Sequence, residues 1–412
     1  MLSFLKNNKI FQISAFLLVA FFFGFLIYNF FFKSISEPPP SGLIGTSTPG
    51  AKLPETEPGS GTNIAGTGGD TRLQPEQGSG ELPADEIARG GLTQSEALSP
   101  AGGMGQKLAG DGLSLLQYNS LDGRFYRLDQ NGKLEPLTDK VFHEVKDIYW
   151  APEGEKAILE YPDGANILYN FKDNSQTTLP AHWEDFDFSP SGDEIVMKSL
   201  GTDGSNRWLA VASADGSKAR ALEALGNEED RVYPSWSPNK QSIAMFTEST
   251  GFDEQKVYFV GLNNENYKAL TITGRGLKFL WAPDGGRLLY SVYSADSDLK
   301  PALWAANAKG EAIGSGRKNL NISTWADKCV FSDSENVYCA VPEKLEEGSG
   351  LYPELSDASP DALYQVNIYT GQKKLVARPE TETSMRNLII TENGRYLYYS
   401  DPEGKTFKMR LK

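Results

Sequence analysis

The residues of this chain that could carry acid–base or metal chemistry are few and scattered. Only two histidines, His143 and His182, occur in 412 residues, and each stands alone in the sequence. The adjacent acids Glu184 and Asp185 do not by themselves form the opposed carboxylate pair that glycoside hydrolysis requires. No Gly-x-Ser-x-Gly motif, which would present a nucleophilic serine, is present. The sequence therefore predicts no catalytic residue, no metal site and no cofactor.

The two cysteines form one candidate pair. Cys329 and Cys339 lie at equal distances on either side of a turn centred on Ser334. Residues directly opposed on antiparallel strands have Cβ atoms about 4.5–5.5 Å apart, close to the separation that a disulfide needs. Outside the cytoplasm such a pair is expected to be oxidised. We therefore predict a disulfide, with two buried free thiols as the alternative.

A repeated turn organises the chain that carries these residues. An aromatic residue is followed by Ser or Ala, Pro, one variable residue and Gly, and then by an alternating apolar strand. Clear copies begin at Trp150, Phe188 and Trp281, and a copy with Lys240 in place of the glycine begins at Trp236. Weaker copies occur at Gly110, Phe331 and Ile390. Units of about 40 to 60 residues with several short strands each are typical of propeller blades.

We count seven such units after Leu113, with no helical period between them. The predicted fold is therefore all-β, a seven-bladed β-propeller over residues 108–412, with six or eight blades as the alternatives. The last unit ends directly after its third strand. Because a propeller hides its strand edges by closing on itself, a segment just before Asp111 is expected to supply the missing outer strand, or else that edge stays three-stranded.

The N-terminal part predicts a membrane anchor. Residues 10–32 carry no charge and are rich in Phe, Leu, Ile and Val, and about 20 apolar residues suffice to cross a bilayer core. Lys6 and Lys9 precede this run, which favours a cytoplasmic N-terminus with the rest of the chain outside. A cleaved signal peptide is the alternative, but the run is too long for one and no small-residue cleavage site follows. We assign residues 1–33 to the cytoplasmic N-terminus and the transmembrane anchor.

Residues 34–107 predict a disordered linker. They are rich in Pro, Gly, Ser, Thr and Glu and have almost no aromatic side chains, so they cannot bury enough apolar surface to offset the entropy of ordering. A short helix over 82–97, formed on a partner, is a further possibility for this region. The linker would let the propeller move at a distance from the membrane.

The turns at Trp150, Phe188, Trp236 and Trp281 resemble those of the TolB-type, WD-like (PD-repeat) β-propeller family of bacteria, here without an attached peptidase domain. The resemblance covers about 300 residues. It implies the propeller fold, whereas the turns themselves are structural in that family and the fold hosts many activities. The recurring Trp150, Trp236 and Trp281 are accordingly expected in the packing between blades.

The propeller topology also predicts where binding residues lie. The connections from each second to third strand, and the crossings between blades, share one face, and the long loop from Pro342 to Asp361 is the largest departure from the repeat. This loop is either a flap that contacts a partner or a tolerated insertion. The candidate binding residues at the channel mouth and rim are Trp183, Glu184, Asp185, Arg231, Tyr233, Arg275, Trp325, Tyr352 and Arg386, although the two tryptophans would equally suit packing between blades.

Charge and composition exclude one class of function, nucleic-acid binding. The chain has 40 Lys and Arg against 54 Asp and Glu, a net charge of −14, so it lacks the basic surface that nucleic-acid binding requires. The predicted function is a membrane-anchored extracytoplasmic module of the cell envelope that binds a protein or peptide, in the periplasm or at the cell surface. The alternatives are a propeller hydrolase or lyase with a site at the channel mouth, and a structural envelope subunit.

Overall fold

The structure, a computed structural model, describes residues 83–263, 265 and 267–412. Within these residues, 29 short strands form one five-stranded and six four-stranded sheets. Consecutive strands pair antiparallel in each sheet, from an innermost to an outermost strand. The prediction of a seven-bladed all-β propeller is confirmed.

The strands of the first four blades, innermost first, are β3–β6 (Gly103–Leu108, Leu115–Asn119, Arg124–Leu128, Leu134–Pro136), β7–β10 (Asp147–Trp150, Lys156–Glu160, Asn166–Asn170, Gln176–Leu179), β11–β14 (Trp183–Phe188, Glu194–Leu200, Arg207–Ser213, Arg220–Ala224) and β15–β18 (Val232–Pro234, Ala244–Ser249, Glu254–Val260, Leu270–Thr273). Those of blades 5 to 7 are β19–β22 (Arg275–Trp281, Arg287–Tyr293, Pro301–Asn307, Lys318–Asn319), β23–β26 (Cys329–Phe331, Asn336–Pro342, Asp361–Asn367, Lys373–Pro379) and β27–β29 (Arg386–Ile390, Tyr396–Ser400, Thr406–Arg410). Two further strands, β1 (Leu92–Thr93) and β2 (Glu96–Ala97), precede them.

The repeated turn joins the first and second strands of a blade. In the copy after Trp281, the Gly285 N–H donates to the Ala282 carbonyl at 2.8 Å, and Gly285 has φ of +64°. A left-handed residue is needed at this position, which explains the glycine of the repeat. Lys240 adopts the same conformation, with φ of +59°, and donates its N–H to Ser237.

The repeated tryptophans join neighbouring blades, as predicted. The Trp150 Nε1–H donates to the carbonyl of Gly105 in blade 1 at 2.7 Å, and the Trp281 Nε1–H donates to Ser235 Oγ of blade 4 at 3.1 Å. Trp236 is 6% exposed and lies in the core between blades 3 and 4. Each sheet thus buries its faces against the next, and the core is distributed around the ring.

Residues 83–101 form a strap that closes the ring. β2 pairs antiparallel with β29, so the segment before Asp111 supplies the outer strand of blade 7, as expected. β1 pairs parallel with β26 and adds a fifth strand to blade 6, which the sequence did not predict. Leu98 of the strap is buried against Leu115, Leu128 and Tyr398.

The predicted end of the linker at residue 107 is therefore wrong. The chain joins the propeller within residues 83–107, and the propeller begins before residue 108, because β3 is already the innermost strand of blade 1. Strands of two residues have no apolar period, and they are held by backbone hydrogen bonds that any composition can make. The short helix considered over 82–97 is also wrong for its described part, which contains β1 and β2.

The predicted transmembrane segment, residues 10–32, and the start of the linker lie outside the described residues. Within the part of the chain that the structure describes, no helix is both long enough and apolar enough to span a bilayer.

Candidate binding site

The long insertion of blade 6 folds into a compact loop on the face that carries the blade crossings. We call residues 343–360, between β24 and β25, the flap. Its two ends meet, since the Glu343 N–H donates to the Pro360 carbonyl at 2.9 Å and the Lys344 N–H donates to Ser359 Oγ at 3.0 Å. Long loops that fold compactly on a rigid scaffold are frequently functional.

Gly350 fixes the flap on blade 5. Its N–H donates to the Leu299 carbonyl at 2.8 Å. A Cβ atom at this position would lie 2.4 Å from Tyr293 Cβ and 2.6 Å from Leu299 O, so only glycine permits the contact. The nearby Gly348 N–H donates to the Asp298 carbonyl at 3.1 Å. The flap is thus held at both its base and its middle.

We expect Gly350→Ala to lift the flap from blade 5 while leaving the propeller folded. The added methyl group would overlap the Leu299 carbonyl oxygen and the Tyr293 Cβ atom, which cannot move aside. Limited proteolysis should then cut within residues 343–360 several-fold faster than in the wild type. The control is Gly91→Ala, where a Cβ meets nothing within 4 Å. Equal cleavage rates for the two variants would show that Gly350 does not hold the flap.

A cleft of about 360 Å³ lies between the flap and the crossings into blades 5, 6 and 7. The 3₁₀ turn Pro353–Ser356 of the flap forms one wall, and Trp325, Ser384 and Asn387 lie on the other. We call this the flap cleft. It falls within the volume range of small-molecule and peptide-side-chain sites.

The charged side chains around the flap cleft are almost all paired. Three ion pairs of 2.6 Å each are Lys278–Asp327, Lys328–Asp361 and Arg386–Asp357. The remaining acid in the lining, Glu354, is exposed and has no ion-pair partner among the described residues. The cleft therefore offers paired donors and acceptors together with one unmatched negative charge.

Lys328 and Asp361 form the buried floor of this arrangement. The side chain of Asp361 is 0% exposed and that of Lys328 10%. Lys328 Nζ also donates to Ser384 Oγ at 3.1 Å, and the Met385 N–H donates to Asp361 Oδ2 at 2.5 Å. Burial raises the pKa of Asp361, and the neighbouring ammonium of Lys328 opposes that shift. In the described part of the chain, Asp361 Oδ1 has no hydrogen-bond partner.

A second cleft, of about 440 Å³, lies on the same face at blades 2 to 5. Its walls are aromatic, and each of four successive blades supplies one ring from its innermost strand. We call it the aromatic cleft. The rings belong to Tyr149, Phe186, Tyr233 and Phe279.

Bulges in the innermost strands shape this face. The pairing register shifts in the first strands of blades 1, 3, 5 and 7. Each shift contains one left-handed residue, and these are Gly105, Asp185, Gly276 and Asn387. A bulge re-aims the side chains beside it and is common near binding sites. No periodic pattern in the sequence predicts these bulges.

The structure places some of the predicted site residues in the two clefts and others outside them. Trp325 and Arg386 line the flap cleft, and Asp185 and Tyr233 line the aromatic cleft. Tyr352 is 58% exposed on the flap. Glu184, Arg231 and Arg275 lie outside both cleft linings, as does Trp183. Glu184 is exposed opposite Lys198, Arg231 pairs with Glu228 at 2.6 Å, and Arg275 lies over the Phe252 ring at 4.9 Å.

The structure corrects the role predicted for Trp183. This side chain is 5% exposed and packs in the core of blades 2 and 3, so it offers no surface to a ligand. Trp325 is also buried, at 3% exposure, although it borders the flap cleft. Sequence reasoning missed Lys278, Lys328, Asp361 and Phe279, because their roles depend on the flap and the bulges.

The inner wall of the ring holds a further acid that the sequence did not single out. Asp187 on β11 accepts a hydrogen bond of 2.6 Å from the Trp236 N–H of the next blade. Burial raises the pKa of Asp187 to about 6, although the Trp236 and Phe188 N–H groups and the charge of Lys107 act to lower it. Burial likewise lowers the pKa of Lys107.

Asp187 should make the fold less stable as the pH rises from about 4 to 6. In this window the unfolded carboxyl has lost its proton and the folded one keeps it, so the folded state binds more protons and the slope is negative, at most about 1.4 kcal/mol per pH unit. We expect Asp187→Asn to remove this slope. Melting temperatures of both proteins between pH 4 and 7 test this, and parallel curves would contradict it.

Cys329 and Cys339 are paired across β23 and β24, and their sulfur atoms are bonded at 2.08 Å. Cys329 directly follows Lys328, so the bond braces the innermost strand of blade 6 beside the flap cleft. Among the described residues, no group of three or more His, Cys, Asp and Glu side chains converges as metal ligands would.

Comparison with known proteins agrees on the fold. No protein-family model matches the sequence, and no curated protein matches it. An oligogalacturonate lyase in complex with manganese superposes with a TM-score of 0.52 and 16% identity, covering 77% of this chain and 93% of the lyase. The β-propeller domain of Cps50 (Swd1) from Myceliophteria thermophila superposes with a TM-score of 0.52 and 9% identity, covering 77% of this chain and 100% of that domain. The tricorn protease superposes with a TM-score of 0.48 and 10% identity, covering 81% of this chain and 35% of the protease.

These similarities establish a β-propeller and nothing finer. At identities of 9 to 16%, the solved structures share the fold with this chain, and they include both an enzyme and a domain whose name states no activity. A membership of the TolB-type family is not shown by them. Function has to be argued from the two clefts.

Proposed function

We propose that this protein is a binding module of the cell envelope whose flap-bearing face engages a polypeptide partner. The observation that carries the proposal is the flap cleft, a cavity framed by a glycine-fixed loop and lined by charges that are already paired except for Glu354. Paired and hydrogen-bonded side chains are preorganised, so a ligand would not have to order them.

Apolar side chains beside the cleft support a protein partner. Leu351, Tyr352 and Leu355 are 43%, 58% and 50% exposed on the flap, and Phe252 is 79% exposed on the equivalent loop of blade 4. Exposed aromatic and aliphatic side chains on a surface rimmed by charge mark interaction sites. The flap is thus suited to rest against a partner while a segment of that partner enters the cleft.

The proposed location follows from the N-terminal sequence. The apolar run 10–32, the preceding lysines and the disulfide-bonded cysteines together favour a single-pass anchor with the propeller outside the cytoplasm. The linker would set the reach of the module from the membrane.

Photo-cross-linking in the native membrane tests the binding face. A photoreactive amino acid at Tyr352 should give a discrete cross-linked protein adduct. The matched control is Tyr369, which is 47% exposed in a turn between third and fourth strands, on the opposite face. Adducts at both positions, or at neither, would count against a specific partner on the flap face.

The second candidate is a propeller hydrolase or lyase with its site at the channel mouth. The observation in its favour is Lys328, a buried ammonium in the lining of a cleft on a fold that it shares with an oligogalacturonate lyase. Incubation with oligogalacturonate tests this candidate. Unsaturated product that disappears in the double variant Lys328→Met, Asp361→Leu, which leaves no buried charge unpaired, supports the enzyme, and no turnover counts against it.

A further inference from the structure

The aromatic cleft is a site that the flap does not reach, and its charges do not cancel. Within its lining Lys198 pairs with Asp185 at 2.6 Å, and Asp230 is exposed without an ion-pair partner in the described residues. Beside Tyr149, Lys146 pairs with Glu160 at 2.6 Å and lies 3.4 Å from Asp147. In and beside the cleft there are thus four carboxylates and two ammonium groups, which leaves a net charge of two negative units. The carboxylates are those of Asp147, Glu160, Asp185 and Asp230, and the ammonium groups are those of Lys146 and Lys198.

The aromatic rings lie beside these charges and pack in pairs. Tyr149 and Phe186 meet edge to face with centroids 5.6 Å apart, and Tyr233 and Phe279 do so at 6.1 Å. Burial raises the pKa of Tyr149, and the charges of Glu160, Asp147 and Asp185 raise it further. The hydroxyl of Tyr149 therefore lies in a negative potential, as the charge count requires.

We propose that the aromatic cleft receives a cationic side chain, a guanidinium or ammonium group, of the partner polypeptide. The faces of Phe and Tyr rings attract cations, and the attraction grows when the site is partly shielded from water. Asp230 supplies the unmatched carboxylate, which a guanidinium can bind through two parallel hydrogen bonds. An anion would meet surplus negative charge, and a purely apolar group would leave Asp230 without a partner.

This inference rests on the proposed function, because it takes the partner to be a polypeptide that approaches the flap-bearing face. It adds the chemistry of one contact, namely a basic residue in the partner. The net charge of −14 would also speed the approach of a basic segment at low salt.

Calorimetric titration of the full-length protein in mild detergent tests the proposal with a capped tri-arginine peptide. A capped tri-citrulline peptide, which has nearly the same shape and no charge, is the ligand control. We expect arginine to bind and citrulline not to bind. Asp230→Asn and Tyr233→Leu should each weaken arginine binding roughly three- to ten-fold. Glu335→Gln, which removes an exposed acid from the opposite face, should leave it unchanged.

Three results would overturn the proposal. The first is absence of arginine binding at millimolar peptide. The second is equal weakening by Asp230→Asn and Glu335→Gln, which would indicate attraction to the acidic surface as a whole. The third is binding of a neutral oligosaccharide that Tyr233→Leu abolishes and arginine does not displace. Unchanged melting temperatures of the variants show that folding is not the cause. A cross-link from Tyr352 that persists in any of these cases would leave the proposed function standing.

Discussion

Asp361→Asn is expected to lower the free energy of unfolding by about 3 kcal/mol. The substitution leaves the ammonium of Lys328, which is 10% exposed, without its counter-charge. Removing one partner of a buried ion pair typically costs about 3–5 kcal/mol, because the remaining charge is neither solvated nor paired. Urea denaturation of the two proteins at neutral pH measures the difference.

The flap cleft contains a matched control for this prediction. Arg386 and Asp357 are also 2.6 Å apart, but their side chains are 44% and 32% exposed. Water screens such a pair, so Asp357→Asn should cost less than about 1 kcal/mol. The double variant Lys328→Met, Asp361→Leu should recover most of the loss, since apolar replacement of a buried pair is often neutral. Equal costs for Asp361→Asn and Asp357→Asn would refute the assignment of Asp361 as a buried ionic partner.

Removal of the strap should have the second large effect. A chain that begins at residue 102 lacks β1, β2 and Leu98, whereas a chain that begins at residue 83 keeps them. Burial of Leu98 contributes about 2–3 kcal/mol, and each lost backbone hydrogen bond about 1 kcal/mol. We expect the shorter chain to be less stable by about 5 kcal/mol, and to aggregate through the exposed edges of β26 and β29.

Thermal melting and light scattering of the two chains check this prediction. A single substitution separates side-chain packing from strand pairing. Leu98→Ala should cost about 2–4 kcal/mol because Leu98 is 6% exposed. Leu92→Ala is the control, since Leu92 is 40% exposed and should cost less than about 1 kcal/mol. Comparable stability of the chains beginning at residues 83 and 102 would mean that closure does not depend on the strap.

The fold could be predicted from the sequence because some side chains have the same structural role in several blades. The glycine of the turn after Trp281 and the tryptophans between blades have fixed positions in each unit, so their pattern survives in the sequence. The disulfide pairing could be predicted for the same reason, because equal spacing from a turn implies opposition across two strands. Closure by an N-terminal strand was predictable from the edge that the last unit leaves open.

The binding face could be predicted only in outline. Trp183 was chosen because it follows a blade crossing, yet its side chain turns into the core. Lys328 and Asp361 are far apart in the sequence and meet only because blade 6 brings the start of β23 to the start of β25. The aromatic cleft depends on one ring from each of four blades, and no local pattern distinguishes those rings from ordinary strand aromatics. Such sites arise from register shifts and loop packing, which produce no periodic pattern of residue types in the sequence.

The strap has a consequence for how the protein is made. The Thr406 N–H donates to Ser99 Oγ across a separation of 307 residues. Ser99 is therefore synthesised long before Thr406. Until blade 7 has emerged, Leu98 has no core to enter, and the partly assembled sheets keep bare edges. Contacts this distant slow folding and prolong exposure to aggregation. We therefore expect the nascent chain to depend on a chaperone until its final strands are complete.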